Sequence, residues 1–294
     1  MKRRVAVLLA AATLGCAARA AAPHAAGPLV VFMTDFGTVD DSVAICKGVM
    51  LEIEPRLRIV DLTHDVTPFS IRDGARFLAG TAPHFPPGTV FLAVVDPGVG
   101  STRKPLAART RSGRLFVVPD NGLLTQVDQH DAVVEAREIT NTRWMRGAAL
   151  SSTFHGRDIF APAAAALAHR APLAEAGPIL AGWERLHLAQ ARITADGLAG
   201  AVVALDGPYG NLVTDVSAEL FTQMGYALGD KVAVQVGDHS LVVPFVRTFS
   251  DVPEGEPLLY VDSRGRMGLA VNKGHFARTH GVSPPAALLI RRKR

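Results

Sequence analysis

The sequence predicts two folding units: an amino-terminal α/β domain, with a central sheet covered by helices on both faces, and a smaller all-β, barrel-like carboxy-terminal domain. Between residue 29 and about residue 168, short and continuously apolar runs alternate with helical stretches, the pattern of strands buried on both sides. After Gly197 the texture changes to short strands separated by turn residues, with no long helical period. The chain has 294 residues, 48% hydrophobic and 20% charged, which is enough apolar material for two ordinary cores and excludes disorder, collagen-like repeats and coiled coil.

Residues 29–33 (LVVFM) form the first expected strand and residues 40–53, opening on an acidic pair, the first helix. Further strands are expected over 57–61, 90–95, 115–118 and 132–139, short runs rich in β-forming residues, with a helix over 71–82 and an alanine-rich helix over 158–169. The second unit reads as strands over 200–205, 231–236, 241–246, 257–261, 266–271 and 286–290. The α/β unit is placed at residues 28–185 and the barrel at 197–291, joined between about Gly177 and Asp196.

Residues 1–22 read as an export leader: a basic start, an apolar stretch from Val5 to Leu14, and Ala18, Arg19 and Ala20 as a small-residue cleavage site. Ten apolar residues are too few to span a bilayer, so a periplasmic or secreted protein is expected, with no membrane association unless Cys16, after Thr13, Leu14 and Gly15, is acylated as in lipoproteins. Cleavage leaves only Cys46, which rules out an intrachain disulfide in the mature chain; its helical setting suggests a core position. The formal charge of +4 comes from the leader: setting aside Lys2, Arg3, Arg4 and Arg19 leaves 27 basic against 27 acidic side chains. No nucleic-acid partner follows from such a balance.

In an α/β sheet ligands bind beyond the carboxyl ends of the strands, and four apolar runs end in polar clusters. They run into Thr34 to Ser42, Asp61 to His64, Asp96 to Arg103, and Pro119 to Gly122. Asp40 or Asp41 is expected to cap the following helix, whereas Asp35, held back by Gly37, is better placed to present a carboxylate that accepts from both hydroxyls of a ribose. A fifth cluster, Thr153 to Asp158, opens the alanine-rich helix. His155 with Asp96 and Arg103 would combine an imidazole, a carboxylate and a guanidinium able to orient a water and favour its deprotonated form. Ten histidines are present without H-E-x-x-H spacing, so no metal is expected. The chain lacks GxGxxG, GxxxxGK[ST] and Gly-x-Ser-x-Gly, which argues against a phosphate cradle or a covalent serine nucleophile.

Taken together, TDFGTVDDSVAICKGVM (34–50), DLTHDVTPF (61–69), FPPGTVFLAVVDPGVGSTRK (85–104), VVPDNGLLT (117–125), STFHGRDIFAPAAA (152–165), GPYGNLVTD (207–215) and YVDSRGRMGLAVN (260–272) resemble the S-adenosylmethionine hydroxide adenosyltransferases, relatives of the fluorinating and chlorinating S-adenosylmethionine enzymes. The resemblance implies an α/β domain with a β-barrel, a homotrimer with the substrate between subunits, and hydrolysis of S-adenosylmethionine to adenosine and methionine without a cofactor. It puts the reaction on Asp96, Arg103 and His155, the ribose on Asp35, the nucleoside against Phe69, the amino-acid end on Asp40, Ser42, Ser263 and Arg264, and the adenine side on Asn211 with Asp206. The halide-using relatives carry an aromatic residue in place of Asp96 and a Tyr-Ser pair in place of His155 and Gly156, so water is the expected nucleophile here. Val213, where the fluorinating relatives have a stacking tryptophan, departs from the pattern. The sequence leaves open which group takes the water's proton. The competing reading is an exported adenosine- or nucleoside-binding protein with little or no turnover.

Overall fold

A computed structural model describes residues 27–147 and 149–293; the leader and Cys16 lie outside the described residues. The first unit contains β1 (Leu29–Thr34), α1 (Ser42–Ile53), β2 (Arg58–Thr63), α2 (Ile71–Thr81), β3 (Val90–Val94), β4 (Pro105–Thr110), β5 (Leu115–Pro119), α3 (Thr125–His130) and β6 (Val133–Glu138). A π-helical turn, Gly156–Phe160, then leads into α4 (Ala161–Ala168). The six strands form one sheet in the order β2-β1-β3-β5-β4-β6, parallel across β2, β1, β3 and β5 and antiparallel at β4 and β6.

Side chains alternate across a strand, and the central strands are apolar along nearly their whole length, so each feeds two cores. Val30 and Phe32 of β1, Val90, Leu92 and Val94 of β3, and Val117 of β5 pack with Cys46, Val49 and Met50 of α1 and the alanines of α4. Val31, Met33, Phe91, Ala93, Phe116 and Val118 point the other way, onto Leu78 and Ala79 of α2 and Val127 of α3. Each large buried side chain contributes about 1.5–3 kcal/mol, against at most about 1 kcal/mol for an exposed ion pair. The two apolar layers therefore hold this domain together.

The second unit contains β7 (Arg192–Ile193), β8 (Gly197–Asp206), β9 (Asn211–Ser217), α5 (Ala218–Thr222), β10 (Lys231–Val236), β11 (His239–Pro244), β12 (Pro257–Val261), β13 (Arg266–Val271), α6 (Phe276–Thr279) and β14 (Ala286–Arg291). Its antiparallel sheet runs β11-β10-β14-β8-β9-β13-β12, with β7 on β8, and a bridge from Phe245 to Leu259 nearly closes it into a barrel around Val202, Leu212, Val234, Leu269 and Ile290.

Several expectations need correction. The region 158–169 is not one α-helix, because its first turn is π-helical and begins at Gly156. Asp158 lies within that turn, where its carboxylate accepts from Ser151 N at 2.8 Å and pairs with Arg157. Asp41 occupies the N-cap of α1 without a side-chain bond, while Asp40 Oδ1 accepts from Ser42 N at 2.9 Å. β4, α3, β9, α5 and α6 went unread in the sequence. Cys46 is fully buried, and burial pushes its thiol up to about 12.

Candidate active site

The strand order itself opens the site. From β1 the chain crosses through α1 to β2 on one side, and α2 on the opposite face returns it to β3 on the other side. The segments leaving β1 and β3 therefore diverge, which is where a doubly wound sheet leaves a crevice. A cleft of about 420 Å³ lies there, lined among others by Asp35, Ser42, Phe69, Asp96, Thr153 and His155.

Asp35 follows β1, and its Oδ2 accepts from Phe69 N at 2.9 Å. Phe69 adopts φ 66°, a conformation that costs a non-glycine residue energy and recurs at ligand sites. The residue is 73% exposed and lines the cleft as an apolar wall.

Asp96 follows β3. The loop then turns back on itself, with Val99 N donating to Asp96 O at 3.2 Å and Ser101 Oγ accepting from Arg103 N at 3.2 Å, which returns Arg103 over the carboxylate. Arg103 Nε donates to Asp96 Oδ1 at 2.9 Å and Nη2 to Oδ2, a two-pronged pair with both side chains under 10% exposed. Gly100, at φ 77°, is needed here because a Cβ would stand 2.4 Å from the Ser152 carbonyl oxygen. That close approach brings the segment before His155 against the Asp96 loop.

Nη2 of Arg103 also lies 3.0 Å from His155 Nδ1. A guanidinium only donates, so Nδ1 must accept and the neutral ring carries its hydrogen on Nε2. Burial first, then the positive charge of Arg103, lowers the His155 pKa and keeps the ring neutral. The guanidinium carbon sits 5.0 Å over the Phe160 ring, and Nη1 is buried without a hydrogen-bond partner among the described residues.

The chain thus gathers Asp35, Ser42, Phe69, Asp96, Arg103 and His155 around one cleft. Asp40 is exposed and is not among the lining residues. The barrel residues lie elsewhere. Asn211 Nδ2 meets Asp206 Oδ2 at 3.5 Å on the β8–β9 connection, and Ser263 is exposed on the β12–β13 turn. Arg264 lies against Gly80 of α2 in a separate cleft of about 280 Å³ between the domains, which Val213 also lines. Sequence reasoning gave no part to Phe36 and Phe154, whose rings flank Gly156 so closely that a Cβ there would meet them at 3.1 and 3.3 Å. It also flagged Asn121 without assigning it; Asn121 Nδ2 donates to Val95 O at 2.9 Å, pinning the strand end before Asp96. The polar strand ends were the available signal for Asn121, and the two aromatics carried none.

These features define a two-domain α/β and barrel protein whose switch-point crevice sets a carboxylate, a guanidinium and a neutral imidazole opposite a second carboxylate suited to a polyol. The chain belongs to the SAM hydroxide adenosyltransferase family: residues 30–177 match its N-terminal domain and residues 200–288 its C-terminal domain. A (R)-S-adenosyl-L-methionine hydrolase of Salinispora tropica is 42% identical over 90% of this chain and 97% of its own. A fluorinase of Actinoplanes sp. is 32% identical over 87% and 94%. Among solved structures, a conserved protein from Thermotoga maritima superposes with a TM-score of 0.86 at 37% identity, covering 90% of this chain and 100% of that one.

Proposed function

We infer that this chain hydrolyses S-adenosyl-L-methionine to adenosine and L-methionine by in-line attack of water on C5′. The observation that carries this reading is the convergence of Asp96, Arg103 and His155, distant in sequence, at the crevice that also holds Asp35.

The chemistry fits that equipment. C5′ bears a sulfonium that departs as a neutral thioether, so no general acid is required. The site must hold one water behind C5′, roughly 3–3.5 Å away, and exclude competitors. Arg103 favours hydroxide character through its charge. His155, with Nδ1 engaged by Arg103, offers Nε2–H to hold and orient the attacking oxygen. As the C5′–O bond forms the C5′–S bond breaks, and the proton that the attacking water loses passes to solvent, His155 taking it up only if Arg103 releases Nδ1. Asp96 holds the guanidinium in place, and Asp35 receives the ribose hydroxyls beside Phe69, with Ser42 and Asp40 toward the amino-acid end.

The active assembly in this reading is a homotrimer in which Asp206, Asn211, Ser263 and Arg264 of one subunit complete the cleft of its neighbour. Two observations support it: none of the four lines the cleft of its own chain, and Val39 and Phe69 leave apolar surface exposed at and near it. Residues 1–22 are proposed as an export leader, checked by the amino-terminal sequence of the exported protein.

The deciding experiment incubates the protein with S-adenosylmethionine in oxygen-18 water and analyses the adenosine by mass spectrometry. Label in the 5′-hydroxyl is expected. Retained adenosine without turnover would instead identify a nucleoside receptor.

A further inference from the structure

Beyond the last residue of β2 stands a histidine that the site described above does not use. His64 is 5% exposed, and its ring meets the edge of Phe32 at 4.8 Å between centroids. Its Nδ1 lies 2.9 Å from Oγ1 of the fully buried Thr34, the last residue of β1. Its Nε2 lies 3.1 Å from Asp61 Oδ1, within ion-pair reach though not aligned as a hydrogen bond. Lys47 of α1 donates to the other oxygen of Asp61 at 2.6 Å. Burial acts to raise the Asp61 pKa, but the bond from Lys47 and the nearby His64 ring outweigh it, and the net shift is downward.

With the ring neutral, one set of proton positions satisfies all these groups. An ionised Asp61 accepts only, so the neutral ring presents Nε2–H to it and leaves Nδ1 bare. Thr34 then donates its hydroxyl hydrogen to Nδ1, and its oxygen accepts from Phe36 N at 3.2 Å. The opposite tautomer would aim the Nε2 lone pair at a carboxylate. The backbone adds a second tie, since Gly37 N donates to the His64 carbonyl at 2.7 Å. Of the three residues in the turn after β1, the amides of Phe36 and Gly37 both lead back to His64. The third residue is Asp35.

We propose that His64 is a positioning residue for nucleoside binding: through Thr34 it holds the turn that aims the Asp35 carboxylate and the Phe36 ring into the cleft. The proposal rests on the reading of Asp35 as the ribose acceptor. Thr34 and His64 are both buried, and the bonds from Phe36 N and Gly37 N tie the turn to them. Without the ring, the Thr34 hydroxyl loses its buried acceptor and is free to rotate away from Phe36 N.

The test measures, by calorimetry on the full chain, the affinity for adenosine relative to 2′-deoxyadenosine. The unaltered protein is expected to prefer adenosine by about ten- to a hundredfold, the range of one hydrogen bond to a carboxylate. Asp35→Ala should bring that ratio to near one. His64→Ala and Thr34→Val should each lower it several-fold, and His64→Asn, whose side-chain oxygen can stand where Nδ1 accepts, should recover most of it. A purely structural role would weaken both ligands equally, and an unchanged ratio in His64→Ala would overturn the proposal while leaving the Asp35 reading intact. If His64→Ala does not fold, Thr34→Val decides by the same criterion. Asp35→Ala keeping the full ratio overturns both assignments together.

Discussion

At the scale of single residues the site is governed by burial of charge. Asp96 and Arg103 are almost removed from water, so deleting one partner strands the other at a cost of about 3–5 kcal/mol. Asp96→Ala should therefore lose both turnover and stability, whereas Asp96→Asn, which keeps the shape and one acceptor, should lose turnover while destabilising less. Thermal melts beside product assays separate the two effects; full activity in Asp96→Asn would remove the carboxylate from the reaction. His155 gives a second expectation. Its pKa lies below the ordinary 6.5 because burial and Arg103 both disfavour the imidazolium. The active neutral form should persist through pH 7, with kcat/KM falling only on the acid side of that value. A rate profile with its midpoint above 6.5 would contradict the assigned protonation state, and His155→Gln should abolish the limb.

Among the elements, α1 and α4 are tied at their carboxyl ends by Glu54. Its Oε1 accepts from Arg56 Nε at 3.0 Å and its Oε2 from His169 Nδ1 at 2.6 Å, and these bonds, that of Arg56 foremost, hold its pKa down at about 2. A carboxylate depressed in the folded state stabilises above its unfolded pKa and loses that contribution as pH falls through the folded one. Urea denaturation should show the unaltered protein more stable than Glu54→Gln at pH 7, with the gap shrinking from about pH 4.5 downward. A gap independent of pH would mean that the glutamate acts through packing alone. The π-helical turn matters at this scale too, because it joins His155 to an alanine-rich helix whose small side chains let it lie close against the sheet and α1.

For the whole molecule, the proposed sharing of the site between three subunits makes a prediction that no single-chain site can. His155→Ala and Arg264→Ala should each be inactive as homotrimers. When co-expressed, mixed trimers should regain activity, because some interfaces pair an intact cleft with an intact barrel face. Light scattering should give three times the chain mass. A monomeric mass, or failure of complementation with both variants folded, would place Arg264 outside the reaction.

Much of the fold could be read along the chain because burial is written locally: β1 is apolar up to its last residue, β3 and β5 are apolar throughout, and several barrel strands were legible from their turns. β4 escaped notice because PLAART opens on proline and carries two alanines, and it becomes a strand only because β5 and β6 supply ladders on both sides. β9 was hidden by Thr214, a polar residue fully buried in the inward row with Leu212 and Val216. By itself the sequence determined two folding units, the polar strand ends and the kinds of side chain they offer. Tertiary structure decided which of them meet: Asp35, Asp96 and His155 share a cleft because β1 and β3 are neighbours at the point where the crossovers diverge, whereas Arg264 folds against α2. It also decided the proton on His155, since a tautomer is set by the donor that faces the ring, and Arg103 is fifty-two residues away along the chain.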